Sequence, residues 1–198
     1  MFISLEGIDG SGKSTQAKLL AQELGGDPVL IREPGGTDVG EGIREVLKDP
    51  ELDPDPLAEL LLFCAARAQL VTEVIRPALE ADRDVVCDRF SDSSAAYQGV
   101  ARGLGVERVE EMCDFATGGL WPDATILLKI DPERAAKRIG KRKADRFEGE
   151  GMDLQRKVAE GYDEVARRHP ERVRVVEAAS DVDSVHSAVM GELRGVRA

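Results

Sequence analysis

Short runs of apolar residues recur at wide intervals along the chain, and longer stretches with helical periodicity separate them. The runs are apolar at consecutive positions, which predicts strands that are buried on both faces. The predicted strands are 2–5, 29–31, 85–87, 125–130 and 173–176. The predicted helices are 12–24, 56–81, 106–117, 132–139, 154–169 and 182–193. Strands that alternate with helices are typical of an α/β fold, a five-stranded parallel sheet flanked by helices.

The chain of 198 residues is predicted to form a single domain, 1–198, because no linker and no internal repeat divides it. Two segments fit neither a strand nor a helix. Residues 32–40 are rich in Gly and Pro, and residues 140–151 are rich in charge and Gly. Long irregular segments in compact α/β domains are usually functional loops. We therefore expect both segments to serve a site.

The charge balance changes the picture of possible partners. With 27 Lys and Arg against 38 Asp and Glu, the net charge is −11. Such a surface repels nucleic acid and anionic membranes, so neither is an expected partner and any anion site must be a local basic pocket. No apolar run is long enough for a membrane span. Cys64, Cys87 and Cys113 include no C-x-x-C pair, so we expect reduced thiols and a cytoplasmic protein.

The strongest motif opens the chain. Residues 7–14, Gly-Ile-Asp-Gly-Ser-Gly-Lys-Ser, match G-x-x-x-x-G-K-[ST] between an apolar strand and an amphipathic helix. In this P-loop the backbone N–H groups cradle phosphates, Lys13 reaches the β- and γ-phosphates, and the Ser14 hydroxyl binds Mg²⁺. The predicted ATP-binding residues are Gly7, Ile8, Asp9, Gly10, Ser11, Gly12, Lys13, Ser14 and Thr15.

The kind of P-loop protein is narrowed by what the chain lacks. It contains no Asn, so it cannot form the N-K-x-D motif with which a GTPase reads guanine. A small kinase fits better, and it needs a second anion site for its acceptor. Asp88 and Arg89 follow a predicted strand, where a carboxylate can hold Mg²⁺ and an Arg can bind phosphate; a surface ion pair is the alternative. Arg67 lies in an apolar helical stretch, pointing either into a pocket or to solvent. Phe63 could stack on a base or belong to the core.

Four passages together resemble the thymidylate kinase family, in which ATP converts dTMP to dTDP for dTTP synthesis. They are EGIDGSGKST at 6–15, REPGGT at 32–37, FCAAR at 63–67 and DRFSDSSAAYQG at 88–99, and GLWPD at 119–123 extends the similarity. The P-loop is shared by many families, whereas the other passages in this order are far more specific. The resemblance implies the P-loop NTPase three-layer fold with a short lid at about 140–151, and a homodimer.

The resemblance also implies roles for individual residues. Arg44 and Arg89 would hold the acceptor phosphate, Phe63 would stack on thymine, Arg67 would bond its O4, and Tyr97 would exclude a ribose hydroxyl. The implied substrate-binding residues are Asp9, Glu33, Pro34, Arg44, Phe63, Arg67, Arg89, Ser93, Ser94, Tyr97 and Gln98. The implied metal ligands for Mg²⁺ are Ser14 and Asp88, and the peptide bond before Pro34 is expected to be cis.

One position departs from the family. A branch of it carries a P-loop Arg that stabilises the transferring phosphoryl group, but here that position holds Gly10 or Ser11. The catalytic residues are therefore expected to be Lys13, Asp9 and Arg89 with a lid arginine, either Arg142 or Arg146. The alternative for this basic stretch is an offset to the acidic surface. Two rival functions stay open, a kinase for another nucleotide or nucleoside and a non-catalytic ATP-binding module.

Overall fold

In the computed structural model, which describes residues 1–139 and 146–196, five strands form one parallel sheet in the order β2-β3-β1-β4-β5. The strands are β1 (Phe2–Glu6), β2 (Val29–Arg32), β3 (Val85–Asp88), β4 (Ala124–Lys129) and β5 (Val173–Glu177). In the central strand, Ile3 lies opposite Val86 of β3 and Ala124 of β4. The predicted five-stranded parallel sheet is confirmed, and each strand agrees with its prediction to within one residue at either end.

Helices and helical turns connect the strands. They are α1 (Lys13–Leu24), α2 (Asp38–Lys48), α3 (Pro56–Leu70), α4 (Arg76–Glu80), α5 (Ser91–Ser94), α6 (Val106–Thr117), α7 (Pro132–Ile139), α8 (Arg146–Gly149), α9 (Gly151–Arg168) and α10 (Val182–Leu193). Two π-helical segments, Val71–Ile75 and Ala95–Ala101, continue α3 and α5. Alternate β1 residues enter different apolar clusters, Ile3 and Leu5 one and Phe2 the other, so the core has a layer on each face of the sheet.

The helix predictions for 106–117, 132–139 and 182–193 agree with α6, α7 and α10 at both ends. The predicted helix 56–81 contains a π-helical segment, Val71–Ile75, and ends at Glu80. Three helical stretches were not predicted: α2, the stretch from Ser91 to Ala101, and α8, which lies inside the segment 140–151 that was expected to be irregular. α2 begins inside the segment predicted to be irregular, where the Thr37 hydroxyl accepts a hydrogen bond from Gly40 N at 2.9 Å. The helix has apolar residues at helical spacing, Val39, Ile43, Val46 and Leu47, but only Leu47 of these is buried.

The strand order places two loops side by side. β1 ends at Glu6 and leads into the P-loop, and the neighbouring β3 ends at Asp88. Because both strands are parallel, their carboxyl ends meet at one edge. The connection after β1 runs to β2 on one side, and the connection after β3 runs to β4 on the other side. This topological position is where open α/β sheets bind ligands.

Two further expectations concern reduced thiols and the lack of a membrane span. Cys64, Cys87 and Cys113 are buried and form no disulfide, as predicted. Across residues 1–139 and 146–196, every helix is too short or too polar to cross a bilayer.

Candidate active site

A cleft of about 720 Å³ opens at the carboxyl edge of the sheet. Most of the predicted site residues line it. They are Asp9, Gly10, Ser11, Gly12, Lys13, Ser14, Thr15, Glu33, Pro34, Arg44, Phe63, Asp88, Arg89, Ser93, Ser94, Tyr97 and Gln98. Gly7, Ile8, Arg67 and Arg146 lie behind its walls, and Arg142 falls outside the described residues. The folded chain thus brings the P-loop and the predicted acceptor residues into one continuous space.

The P-loop depends on glycine where the backbone takes a left-handed conformation. Gly7 has φ 139° and Gly10 has φ 80°. A Cβ at Gly7 would lie 2.5 Å from Leu128 O, and one at Gly10 would lie 2.5 Å from Ala135 O. A side chain at Gly7 would therefore force the loop away from β4, and one at Gly10 would force it away from α7. The loop ends at Gly12, after which α1 begins with Lys13 and directs its N-terminus at the cleft.

Lys13 is buried beneath the P-loop, where its ammonium group donates a 2.8 Å hydrogen bond to Ile8 O. Burial and the nearby positive charge of Arg89 together lower the pKa of Lys13 to about 8, against the attraction of Asp9 and Asp88. A buried cation has little contact with water, which would screen its charge. It therefore attracts the negative charge of phosphate oxygens strongly.

Arg89 joins the P-loop to the acceptor side of the cleft. The residue has a left-handed φ of 75°, rare for a residue other than Gly. Its Nη2 lies 2.7 Å from Asp9 Oδ1, and its Nη1 lies 3.0 Å from Gly7 O. Burial alone would raise the pKa of Asp9, but the charges of Arg89 and Lys13 outweigh it and lower the pKa to about 2. Asp9 is thus an ionised acceptor next to a fixed guanidinium.

Tyr162 and Glu6, for which the sequence predicted no role, lie behind Arg89. Tyr162 OH lies 2.8 Å from Arg89 Nη1 and donates to Glu6 Oε2 at 2.9 Å, while Ser93 Oγ donates to the same carboxyl oxygen at 2.6 Å. Glu6 is a polar residue at the end of an apolar strand, which is a signal that sequence reasoning could have used. Tyr162 lies in α9, 156 residues after Glu6, and has no such local signal.

The loop after β2 forms the opposite wall. The Glu33–Pro34 peptide bond is cis, as expected. Arg44 of α2 donates a 2.7 Å hydrogen bond from Nη1 to Pro34 O, so the guanidinium stays at the cleft wall. Glu33 is buried, and its Oε1 makes no hydrogen bond within the described residues. Burial raises the pKa of Glu33, and the charge of Arg67 opposes this rise.

Arg67 is almost fully buried, so its side chain does not point to solvent. Its Nε donates to Glu33 Oε2 at 2.8 Å, and its Nη2 donates to Phe90 O at 3.2 Å and to Ser94 Oγ at 3.1 Å. The guanidinium therefore lies directly behind Ser94, which is on the cleft wall. A direct bond from Arg67 to a base stays a prediction.

Aromatic rings surround the space next to Ser94. The Phe63 and Tyr97 rings each lie 6.0 Å from the ring of Phe147, a residue that sequence reasoning did not select. Tyr97 and the adjacent Gln98 both reach the cleft from the π-helical segment Ala95–Ala101. Such wide turns are frequent at functional sites. The three rings and Gln98 all line the cleft, so this end of it combines flat apolar surfaces with one polar amide.

The residues predicted to hold a metal ion converge at the P-loop end. Ser14 is exposed to the cleft, and its hydroxyl donates a hydrogen bond to Asp88 Oδ2. A hydroxyl and a carboxylate are hard oxygen donors of the kind that Mg²⁺ prefers. The pair of side chains therefore fits this metal. Beyond them, the cleft continues along Ala178, Ser180 and Asp181, in the loop between β5 and α10.

Arg146, one of the two predicted lid arginines, is held in a buried ion pair. Its Nη2 lies 2.5 Å from Glu59 Oε2, its Nε donates to Leu47 O at 2.9 Å, and the side chain is buried. In the described structure the guanidinium is thus held by Glu59, and a contact of Arg146 with the transferring phosphoryl group stays a prediction. Glu59, which holds it, was also missed. It lies four residues before Phe63 and eight before Arg67 on α3, a helical spacing that puts all three on one face.

Comparisons with known proteins agree on one family. A family model described as Thymidylate kinase matches residues 5–189. A protein named Thymidylate kinase from Caldanaerobacter subterraneus subsp. tengcongensis is 50% identical over 192 residues, covering 96% of this chain and 92% of the relative. One from Kosmotoga olearia is 46% identical over 196 residues, covering 97% and 94%. The crystal structure of thymidylate kinase from Ehrlichia chaffeensis superposes with a TM-score of 0.81 at 34% identity, covering 98% of both chains.

Proposed function

This chain belongs to the thymidylate kinase family, and from that premise we propose that its cleft transfers the γ-phosphoryl group of ATP to dTMP, giving dTDP and ADP for dTTP synthesis. The observation that carries this assignment is the 2.7 Å ion pair between Asp9 of the P-loop and Arg89 after β3. It ties the donor cradle to the acceptor pocket, so that two phosphate groups can meet in one cleft. Holding reactants in line is the main task of a phosphoryl-transfer enzyme.

The donor end consists of the P-loop, residues 7–15, and Lys13. The backbone N–H groups and the N-terminus of α1 would bind the phosphates of ATP, and the loop 178–183 would contact adenine. Lys13 supplies the fixed positive charge for the β- and γ-phosphates. Because the cleft already holds this cation in place, little reorganisation is needed as negative charge moves during transfer.

The acceptor phosphate would lie between Arg89 and Arg44. Both guanidinium groups are on the cleft wall, and each is oriented by a neighbour, Arg89 by Asp9 and Arg44 by Pro34 O. Planar guanidinium groups suit bidentate phosphate binding. Asp9 would also accept a hydrogen bond from the 3′-hydroxyl of the sugar, because its lowered pKa keeps it ionised at neutral pH.

The acceptor base would enter the aromatic space. Phe63 would stack on thymine, and Ser94 and Gln98 would meet the edge that carries N3 and O4, with Arg67 behind Ser94. Tyr97 would pack against the sugar at C2′, where a ribose hydroxyl would clash. Its hydroxyl lies 3.4 Å from Asp9 Oδ2, which restrains the ring in that position.

Mg²⁺ is the expected cofactor, held by the Ser14 hydroxyl and the Asp88 carboxylate together with ATP. When bound, the ion neutralises phosphate charge and polarises the transferring group. Arg142, the other candidate lid arginine, remains a prediction from the sequence. Burial of Arg146 beside Glu59 favours Arg142 of the two.

A homodimer would cover an apolar face formed by α3 and α6. Phe115 is 90% exposed and Leu61 is 50% exposed, and both border an apolar groove with Met112. Large exposed apolar side chains gathered on one face are typical of a protein interface. We expect a cytoplasmic protein that does not bind nucleic acid, consistent with a net charge of −11.

The test is coupled ADP release with Mg²⁺-ATP and a panel of acceptors: dTMP, dUMP, ribo-TMP, dCMP, dGMP, AMP and thymidine. A strong preference for dTMP, weaker use of dUMP and little ribonucleotide activity are expected. A preference for thymidine or a purine nucleotide would overturn the acceptor pocket. ATP binding without any turnover would replace the kinase by a non-catalytic module.

A further inference from the structure

A buried carboxylate lies next to the base edge of the acceptor pocket. Glu59 of α3 is 1% exposed. Its Oε1 accepts hydrogen bonds from Gln98 Nε2 at 2.7 Å and from Arg102 Nε at 3.2 Å. Its Oε2 accepts from Arg102 Nη2 at 3.2 Å and from Arg146 Nη2 at 2.5 Å. We call Glu59, Gln98, Arg102, Arg146 and Glu150 the Glu59 cluster.

The cluster balances its own charge. Glu150 pairs with Arg102 and lies 3.7 Å from Arg146 Nη1, so two guanidinium groups face two carboxylates. Arg102 lies four residues after Gln98, which places both side chains on the same side of the chain as it leaves the cleft wall. With four donors around it, the Glu59 carboxylate has one fixed orientation. A carboxylate can only accept hydrogen bonds, and here every contact given for Glu59 is with a donor.

This property of Glu59 determines how Gln98 is turned. A side-chain amide has a donor end and an acceptor end, which point in different directions from the same carbon. An acceptor-only partner takes the NH₂ end. The Oε1 end of Gln98 then makes no hydrogen bond to any described residue, while the side chain lines the cleft. The acceptor end is thus free for a ligand.

We propose that Glu59 is the positioning residue that sets the base preference of the enzyme, because it turns Gln98 to present a carbonyl oxygen to the acceptor base. Thymine and uracil carry N3–H, a donor that matches this oxygen. Cytosine carries a lone pair at N3, which the oxygen repels. The proposal rests on the proposed function, since it requires the base of a nucleoside monophosphate to lie beside Gln98.

Glu59→Gln distinguishes orientation from simple structural support. The introduced amide has only one oxygen, and Arg102 Nη2 and Arg146 Nη2 both donate to the side now occupied by Oε2. Two guanidinium donors lie on that side and only one, Arg102 Nε at 3.2 Å, on the Oε1 side, so its oxygen should remain with the two and its NH₂ group faces Gln98. Gln98 must then turn its own oxygen toward that NH₂ and present a donor to the cleft, which suits cytosine and not thymine.

The experiment compares kcat/KM for dTMP and dCMP in the wild type, Glu59→Gln and Glu59→Asp. The control is Glu45→Gln, an isosteric loss of charge at an exposed position of α2. The dTMP-to-dCMP ratio should fall by about ten- to hundredfold in Glu59→Gln, the range for one reversed hydrogen-bond pair. Glu59→Asp retains an acceptor-only carboxylate and should keep the ratio within about threefold, even where both constants fall.

A second background shows whether Glu59 acts through Gln98. In Gln98→Leu, the further change Glu59→Gln should leave the ratio unaltered, because the amide that it reorients is gone. If Glu59→Gln alone does not fold, as judged by circular dichroism, the charge-balanced pair Glu59→Gln with Arg146→Gln takes its place.

Equal losses for dTMP and dCMP in Glu59→Gln would overturn the proposal, as would the same ratio in Glu59→Gln and Glu59→Asp. These results would leave the proposed function intact. A wild-type enzyme that does not phosphorylate dTMP would instead overturn the proposed function itself.

Discussion

Glu6 should make the stability of this protein depend on pH in an unusual direction. The carboxyl group is fully buried, with Oε1 accepting from Phe90 N at 2.6 Å and Oε2 from Ser93 and Tyr162. Burial raises the pKa of Glu6 from 4.5 to about 7, with a further contribution from the charge of Asp92 and against the attraction of Arg89. The folded protein thus keeps a proton on Glu6 that the unfolded chain releases.

Between pH 4.5 and 7 the folded state binds more protons at this position than the unfolded state, so the free energy of unfolding falls as pH rises. The full change from this one group is about 3 kcal/mol, at 1.36 kcal/mol for each pKa unit. The contribution is complete below pH 4.5 and is lost above pH 7. Most buried carboxyl groups that are salt-bridged behave in the opposite way.

The perturbation is Glu6→Gln, which stays neutral at every pH and can still accept from Phe90 N. Urea unfolding at pH 5, 6, 7 and 8 measures the free energy of unfolding of both proteins. At pH 5 the two should agree to within about 1 kcal/mol. At pH 8 the variant should be the more stable by about 3 kcal/mol.

The matched control is Glu177→Gln, at the exposed last residue of β5. Its curve should follow the wild type, because exposed substitutions change stability by about 0.5 kcal/mol or less. Wild-type and Glu6→Gln curves that run parallel from pH 5 to 8 would refute the reasoning. They would mean that Glu6 is already ionised in the folded protein.

Four further predictions concern the cleft and the apolar face. Lys13→Ala should lower kcat by about a thousandfold or more with the fold retained. The control, Lys18→Ala at an exposed position of α1, should be active. Near-wild-type turnover by Lys13→Ala would contradict the P-loop assignment. Because the pKa of Lys13 is about 8 and phosphates should raise it, ATP binding at pH 8 should take up protons, seen as a buffer-dependent enthalpy in calorimetry. Arg67→Met should raise KM for dTMP more than KM for ATP. It should also lower the free energy of unfolding by about 3–5 kcal/mol, because Glu33 loses its partner. Equal effects on both KM values would contradict a position of Arg67 beside the base. Phe115→Glu should give a monomer in light scattering, and an unchanged mass would exclude the α3–α6 interface.

The sheet could be predicted because its evidence is local. Strands that are buried on both faces have continuous apolar runs, and the helices 106–117, 132–139 and 182–193 have clear apolar stripes. α2 has such a stripe, Val39, Ile43, Val46 and Leu47, but it begins inside the Gly- and Pro-rich segment 32–40 and contains Gly40 and Gly42, which predicted a loop. The helical stretch from Ser91 to Ala101 was hidden for another reason. Its polar residues face a site, so the apolar periodicity of an ordinary helix is missing.

The P-loop is the part of the site that the sequence by itself determined. Eight consecutive residues carry both the glycines that the backbone requires and the side chains that meet phosphate, so no long-range contact is needed to recognise it. The order of the strands then places Asp88 and Arg89 beside it, as the motif spacing had indicated.

Only the tertiary structure decided how the acceptor side is held. Glu6 and Tyr162 meet beneath Arg89 although 156 positions separate them, and Glu59 reaches Gln98 and Arg146 from a different helix. A hydrogen bond between distant residues leaves no periodic trace in the chain, because the pattern of apolar positions records burial and not the partner of a buried polar group. The sequence therefore determined the sheet and the phosphate cradle, while the orientation of the groups that would select the acceptor came from packing between α3, α9 and the segment Ala95–Ala101.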